Sequence, residues 1–329
     1  GETHPLLSPD DRFADYETWD FGDFAGVLKK DEMISFEYAR EALKQGLALE
    51  STFGVNPYKF GMIGSTDSHT SLATADEDNF YGKHSAAMEP QPDRWKDAVG
   101  GRGDVTVPGF MMAASGYAAV WAPENTREAI WDAIARREVY ATTGSRITVR
   151  FFGGWDFTED DLYASNMPEL GYEKGVSMGG SLVAADSSAP VFMLQAAKDP
   201  NGANLDRLQV IKGWEDSAGE VHEQVYNVIW SNPELRSMDA DGKVADVPST
   251  VKGATYSHKY GAAELSALWQ DPDFVLGQKA FYYVRVIEVP SPRWTAYDSS
   301  RFKVEMPKYV SKVTQERAYS SPIWYDPAD

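Results

Sequence analysis

The chain has 329 residues, 43% hydrophobic and 13% aromatic, enough for one large domain or two ordinary ones with a sizeable core. Its 50 acidic residues outnumber its 31 basic ones, leaving a formal net charge of −19. That balance argues against nucleic acid as a partner, since backbone phosphates need a basic face, and against attraction to anionic membranes. Cysteine is absent, which excludes disulfides, thiolate ligands and a cysteine nucleophile, and no run approaches the roughly 20 apolar residues of a membrane span.

Residues 1–25 are loop-like, with Asp10, Asp11, Asp15, Glu17, Asp20 and Asp23 interleaved with Phe13, Tyr16, Trp19, Phe21 and Phe24. The pattern predicts a solvated acidic face with its aromatics turned inward. From Asp31 to Glu50, Met33, Phe36, Ala39, Leu43 and Leu47 recur at steps of three and four, the spacing of one helix. Asn56-Pro57 then punctuates the chain. Phe60–Ile63 is a short apolar run that predicts a buried strand leading into the loop Gly64-Ser65-Thr66-Asp67-Ser68-His69-Thr70. If the extended conformation persists, Asp67 and His69 project from the same face. A carboxylate and an imidazole placed so can share a metal ion. Gly64, Ser65 and Ser68 are small enough to admit a substrate. Taken alone, Asp-x-His is a weak signal, because a metal site normally needs three or four ligands and a surface turn explains the same residues.

Residues 71–125 hold no long periodic segment, as expected of a functional loop or lid. His84 is a candidate for substrate binding or proton donation, set against a surface histidine. Arg94 and Arg102 can meet a phosphate or stay solvated. Gly100-Gly101-Arg102-Gly103 lacks the rest of a P-loop. Asn125 and Glu128 suggest the capping box of a helix running to about Arg137, with Ile130, Trp131 and Ile134 as its apolar face. Strands are predicted at Tyr140–Thr143 and Ile147–Phe152 around a Gly144 turn. Arg146, beside that turn, is a candidate anion contact. Beyond residue 150 the pattern gives strands at Val191–Ala197, Leu205–Trp214, Glu223–Trp230 and Lys279–Val289, the last covered on both faces, and a helix at Ala262–Trp269. Asp199-Pro200-Asn201-Gly202 is turn chemistry, with Ca²⁺ binding as the alternative.

Five stretches carry a resemblance: residues 1–9 (Gly-Glu-Thr-His-Pro-Leu-Leu-Ser-Pro), Ile63 to Thr70, Arg137 to Ile147, Phe281 to Trp294, and Gln315 to Tyr325. Together they resemble the bacterial DUF3604 family, within the polymerase-and-histidinol-phosphatase (PHP) superfamily of metal-dependent hydrolases. In that superfamily an Asp-x-His closes the metal site at the end of a barrel strand. The resemblance implies an α/β fold: residues 1–150 as the C-terminal portion of a distorted (β/α) barrel, and residues 151–329 as a mostly β, sandwich-like accessory domain. It implies Asp67 and His69 as metal ligands, with Glu2 and His4 as further ligands from a preceding strand end. The cofactor is then a divalent ion, whether zinc, manganese, iron or magnesium.

The expected activity is metal-dependent hydrolysis, of phosphoesters first and of amides or sulfate esters as alternatives, on a small and anionic substrate. A non-catalytic glycan- or protein-binding module is the competing reading. No His-x-His occurs in the chain, so a separate N-terminal segment or a homo-oligomer is expected to complete the site. The bacterial likeness leaves a periplasmic or secreted location open.

Overall fold

The computed structural model describes residues 1–327 except 21, 23–24, 73–75, 85–87, 115 and 184–187. Phe21, Asp23 and Phe24 of the acidic, aromatic stretch therefore lie outside the described residues. Two sheets face each other. The larger runs in the order Val221–Trp230, Leu205–Glu215, Ala280–Glu288, Arg317–Ser320, Val139–Thr142, Tyr117–Val120. All these neighbours are antiparallel. Ile323–Asp326 pairs with the start of the Ala280–Glu288 strand and carries Ser181–Val183 parallel on its other side. The smaller sheet runs Glu264–Gln270, Val191–Ala197, Thr148–Gly154, Gly175–Ser177.

The two-residue period of the strands sorts the core. Tyr282, Val284 and Val286 point between the sheets, where they meet Leu208 and Val210 of their own sheet and Phe151, Phe192 and Leu194 of the other. The alternate residues Phe281 and Tyr283, with Ile211 and Trp324, pack under Leu43 and Leu47 of the helix Ala39–Phe53. Every residue of Ala280–Glu288 is buried, as its two apolar faces predict.

This architecture corrects the barrel expected for residues 1–150. A (β/α) barrel needs parallel strands joined by helical crossovers. Here Tyr117–Val120 and Val139–Thr142 pair antiparallel in the large sheet, although the helix Arg127–Ala135 lies between them. Among the described residues no closed barrel forms. The sandwich expected after residue 150 is the organising fold, and strands from both sides of that position share its larger sheet.

Several local expectations also change. The helix predicted from Asp31 to Glu50 is two pieces, Asp31–Ile34 and Ala39–Phe53. The second begins where the Arg40 amide donates to Glu2 O at 3.0 Å, so the docked N-terminal segment breaks the continuous helix and leaves Phe36 exposed. The second piece ends at Gly54, in the left-handed conformation with φ 74°. Ala262–Trp269, with apolar residues at helical spacing, is instead part of the strand Glu264–Gln270, because its backbone pairs along the whole of Val191–Ala197. On Arg127–Ala135 the N-cap is Thr126, whose hydroxyl accepts from the Ala129 amide. Ala129 and Ala133 supply the buried face of this helix, and Trp131 and Ile134 face solvent.

The acidic N-terminal stretch is not simply a solvated face. Glu2 and Asp11 are buried between Arg40 and Arg285. Glu2 Oε1 accepts from Arg40 Nη2 at 2.6 Å and from Arg285 Nη1 at 2.7 Å. Asp11 accepts from Arg40 Nη2 at 2.9 Å and from both terminal nitrogens of Arg285 at 2.8 and 2.7 Å. Tyr283, Gln209 and Glu223 satisfy the remaining guanidinium donors. Burial raises the Glu2 carboxyl, but Arg285 and Arg40 overcome it and hold its pKa down at about 2. Asp11 is also lowered, for the same reason.

Because these folded-state values lie below the ordinary ones, the stabilisation is complete above about pH 4.5 and is lost as pH falls through about 2. Replacing Arg285 by Met leaves two buried carboxylates short of a partner. The expected loss is about 3–5 kcal/mol at neutral pH, read by urea unfolding. The deficit should shrink as the acids become protonated below about pH 4.5.

Candidate functional site

Gly64 positions the Asp67 loop. Its amide donates to Tyr117 O at 3.2 Å, and the next residue, Ser65, accepts from the Gly116 amide at 3.0 Å. The loop thus lies along the outermost strand of the large sheet. A Cβ on Gly64 would sit 2.6 Å from Thr142 O and 2.7 Å from Tyr117 O, so only glycine allows this approach. The run Phe60–Ile63, expected as a strand, forms none; the Met62 amide donates to Ser321 Oγ at 2.9 Å instead. Asp67 has φ 49°, which breaks the extended backbone that would have set Asp67 and His69 on one face.

Another contact brings His84, rather than Asp67, to His69. The His69 amide donates to Lys83 O at 2.8 Å, and the His69 and His84 rings stack with centroids 4.4 Å apart and planes 25° from parallel. Lys83, next to His84 in the chain, is buried, with its ammonium donating to Thr66 O at 2.6 Å. Burial lowers its pKa, and the carboxylates of Asp67, Glu17 and Glu77 act against that. Lys83 is therefore within electrostatic reach of both the Asp67 loop and the pocket described next.

Asp76, Glu77, Asp199, Glu288 and Glu316 converge on a cavity of about 540 Å³. It lies where the Gly144–Ser145 turn, the Asp199–Gly202 turn and the end of the Ala280–Glu288 strand meet. Glu288 is fully buried and accepts from Ser145 Oγ. Burial pushes its pKa up to about 8 against that hydrogen bond, and Asp199 raises it further. Glu316 accepts from Thr143 Oγ1 and shares a hydrogen bond with Glu77. Burial raises both; the Glu77 charge raises Glu316 further, whereas Arg293 and the hydrogen bond from Glu316 act to lower Glu77. Near neutral pH the pocket therefore holds protonated carboxyls. Asp199 organises its own turn, accepting from the Asn201 amide at 2.8 Å through Oδ1 and from the Arg146 amide at 2.8 Å through Oδ2.

The other sequence candidates fall elsewhere. Glu2 is held by two arginines, as above. His4 uses both ring nitrogens, Nε2 with Asp20 Oδ1 at 2.9 Å and Nδ1 accepting from the Leu6 amide at 3.1 Å. Neither joins Asp67 and His69. Arg146 is exposed, its guanidinium 5.8 Å from the Tyr117 ring centroid, and its charge acts on Asp76. Arg94, read as solvated or phosphate-facing, is buried against Asp298 and the Phe80, Tyr81 and Met88 carbonyls. Gly100–Arg102 ends the strand Ala98–Arg102, which pairs antiparallel with Val105–Pro108, and Gly103 opens the turn of that hairpin.

Among the described residues no group of three or more His, Asp or Glu side chains stands in coordinating geometry. The donor types at Asp67, His69 and His84, one carboxylate and two imidazoles, nevertheless suit a divalent ion such as zinc, iron or manganese. Sequence reasoning passed over Glu77, Glu288 and Glu316. Two signals were present: Glu288 ends the wholly apolar run Phe281–Ile287 apart from Arg285, and Glu316 sits inside the Gln315–Tyr325 stretch.

These features define an acidic β-sandwich protein with a carboxyl-lined cleft at its strand ends. The chain belongs to the DUF3604 family, described as a protein of unknown function, whose model matches residues 1–327. No curated protein and no solved structure matches the chain.

The raised Glu288 value gives a stability prediction. Its folded-state pKa exceeds the ordinary 4.5, so its contribution is complete below about pH 4.5 and is lost as pH rises through about 8. Glu288→Gln should flatten the fall in unfolding free energy between pH 5 and about 9, measured by denaturant titration at each pH.

Proposed function

We propose that this chain carries the catalytic face of a metal-dependent hydrolase of phosphoesters, with the chemistry that its PHP resemblance implies but on a β-sandwich rather than a barrel. The observation that supports the reading is the stacking of His84 on His69, two residues from Asp67, with Lys83 in electrostatic reach of both Asp67 and the Glu77 side of a pocket of raised-pKa carboxyls. Asp67, His69 and His84 would hold the ion. A divalent cation bound there supplies positive charge and lowers the pKa of a water to about 7.

The remaining work falls to the protein's own groups. A leaving alkoxide needs a proton, and Glu288 and Glu316 are acids still protonated at neutral pH, as a general acid must be. Glu77, next to Glu316, can take the proton back. Lys83 and Arg146 offer positive charge to phosphoryl oxygens, offsetting an acidic surface that would otherwise repel an anionic substrate. The buried walls of the cavity keep these interactions strong by limiting solvent.

With p-nitrophenyl phosphate and added Mn²⁺ or Zn²⁺, Asp67→Ala and His69→Ala should each lower kcat at least about 100-fold and reduce bound metal, measured by elemental analysis. The rate should also fall above about pH 8 as Glu288 loses its proton. Unchanged metal content in both variants would sink the reading.

A glycan-binding role has its own support. Partly or fully exposed rings pair on the sheets, Trp214 with His222 at 5.3 Å and Tyr226 with Trp269 at 5.0 Å, and flat sugar faces stack on such surfaces. Glycan affinity in a metal-free, catalytically silent protein would select it.

A further inference from the structure

Asp76, Glu77, Asp78 and Asn79 form one wall of the carboxyl-lined pocket. Asp76, Asp78 and Asn79 are exposed, and Asp76 and Asn79 hydrogen-bond to each other. Glu77 reaches across to two other elements. Its Oε2 accepts from the Trp294 amide, at the start of the helix Trp294–Phe302, and its carboxyl shares a hydrogen bond with Glu316. The residues that follow are held independently. Arg94, buried and paired with Asp298, donates to Phe80 O at 3.0 Å and to Tyr81 O at 2.7 Å. The Phe80 ring packs on Trp294, with centroids 5.4 Å apart. The wall is thus an arm with a fixed base at Phe80 and Tyr81 and an inward anchor at Glu77.

That anchor is chemically conditional. Two ionised carboxylates are acceptors only, so a hydrogen bond between them exists only while one keeps a proton. Charged and titratable groups face the pair from every side. Tyr16 and Glu17 come from the N-terminal segment, Glu288 from the end of the central strand, Arg293 and Tyr297 from the helix and the residue before it, and Lys83 from beyond the arm. Both cations are already engaged. Arg293 donates to Glu17 through two 3.0 Å hydrogen bonds, and Lys83 donates to Thr66 O. Burial keeps the phenols of Tyr16 and Tyr297 neutral. Loss of the shared proton therefore sets Glu77 and Glu316 against each other, beside Glu17 and Glu288. Burial holds the Glu77 pKa up at about 7, although Arg293 acts against it. Since that value exceeds the ordinary 4.5, the anchor is complete below about pH 4.5 and is lost as pH rises through about 7.

We propose that Glu77 and Glu316 form a proton-held latch. With the shared proton in place, residues 76–79 close over the pocket. When the proton passes to water, the arm is released, pivots at Phe80 and Tyr81, and opens the pocket to solvent. The latch needs neither a metal nor turnover, so its test is separate from that of the hydrolase reading.

The test is hydrogen exchange of the full chain in EDTA, read by mass spectrometry, with every rate divided by its intrinsic value at that pH. In the wild type, residues 76–79 and the Trp294 amide should exchange faster by up to about tenfold per pH unit above about 7, the slope for one lost proton. In Glu77→Gln the side-chain amide donates to a Glu316 carboxylate and its carbonyl still accepts from Trp294. Its corrected rates should stay low and flat across the same range. Glu77→Ala should exchange fast at every pH. Flat rates in the wild type, a rise in Glu77→Gln equal to that of the wild type, or a protected arm in Glu77→Ala would each overturn the proposal.

Discussion

The buried arrangement of Glu2, Asp11, Arg40 and Arg285 is the constraint on which the rest of the structure depends. It joins three parts distant in sequence: the N-terminal segment, the helix Ala39–Phe53, and the central strand Ala280–Glu288. Two carboxylates and two guanidinium groups balance one another out of water, and surrounding side chains satisfy the outer donors. Such a cluster is weak evidence of net stability, because desolvation offsets much of the attraction. Its effect is positional. Removing any one charge strands the others, so alternative dockings of the N-terminal segment are strongly disfavoured. With that segment pinned, Glu17 reaches Arg293 and Tyr16 lies beneath Arg317.

The charge surplus is handled differently in different places. In the N-terminal cage, acids remain ionised because arginines meet them. Around Glu288 and Glu316, too few cations are at hand, and burial favours the protonated form. The same composition thus yields carboxylates held well below their ordinary pKa in one region and acids held well above it in another. Cation supply within a few ångströms, not net charge, sets the difference. The Glu316–Arg317 pair lies at a boundary between these regimes, with an acid-rich cavity to one side and, to the other, an arginine stacked on Tyr16 whose charge helps keep Glu2 and Glu17 ionised.

Much of the sandwich was legible in the chain. Val191–Ala197 falls at its expected limits, and the strands Leu205–Glu215, Val221–Trp230 and Ala280–Glu288 lie within a residue or two of theirs, because apolar runs bounded by Gly, Pro, Asn and Asp leave few other conformations. The turn at Asp199–Gly202 was legible for the same local reason. Three readings failed, two of them where a distant contact outweighed the local pattern. Docking of Glu2 on the Arg40 amide breaks the Asp31 helix. Pairing with Val191–Ala197 makes a strand of residues with helical spacing. The left-handed backbone at Asp67 turns the Asp-x-His away from the simple same-face geometry.

The sequence by itself determined the β-rich second half, the acidity, the absence of thiol chemistry, and the family to which the chain belongs. It also marked Asp67 and His69, with Glu2 and His4, as candidate metal ligands, and His84 as a candidate for substrate binding or proton donation. Only the tertiary structure decided that the strands before residue 150 enter an antiparallel sheet, that His84 stacks on His69, and that Glu2 belongs to arginines. It also decided that Glu77, Glu288 and Glu316 share one cavity. Local pattern records what each segment prefers, whereas pKa values and cavities depend on which charges and walls the fold brings together from far along the chain.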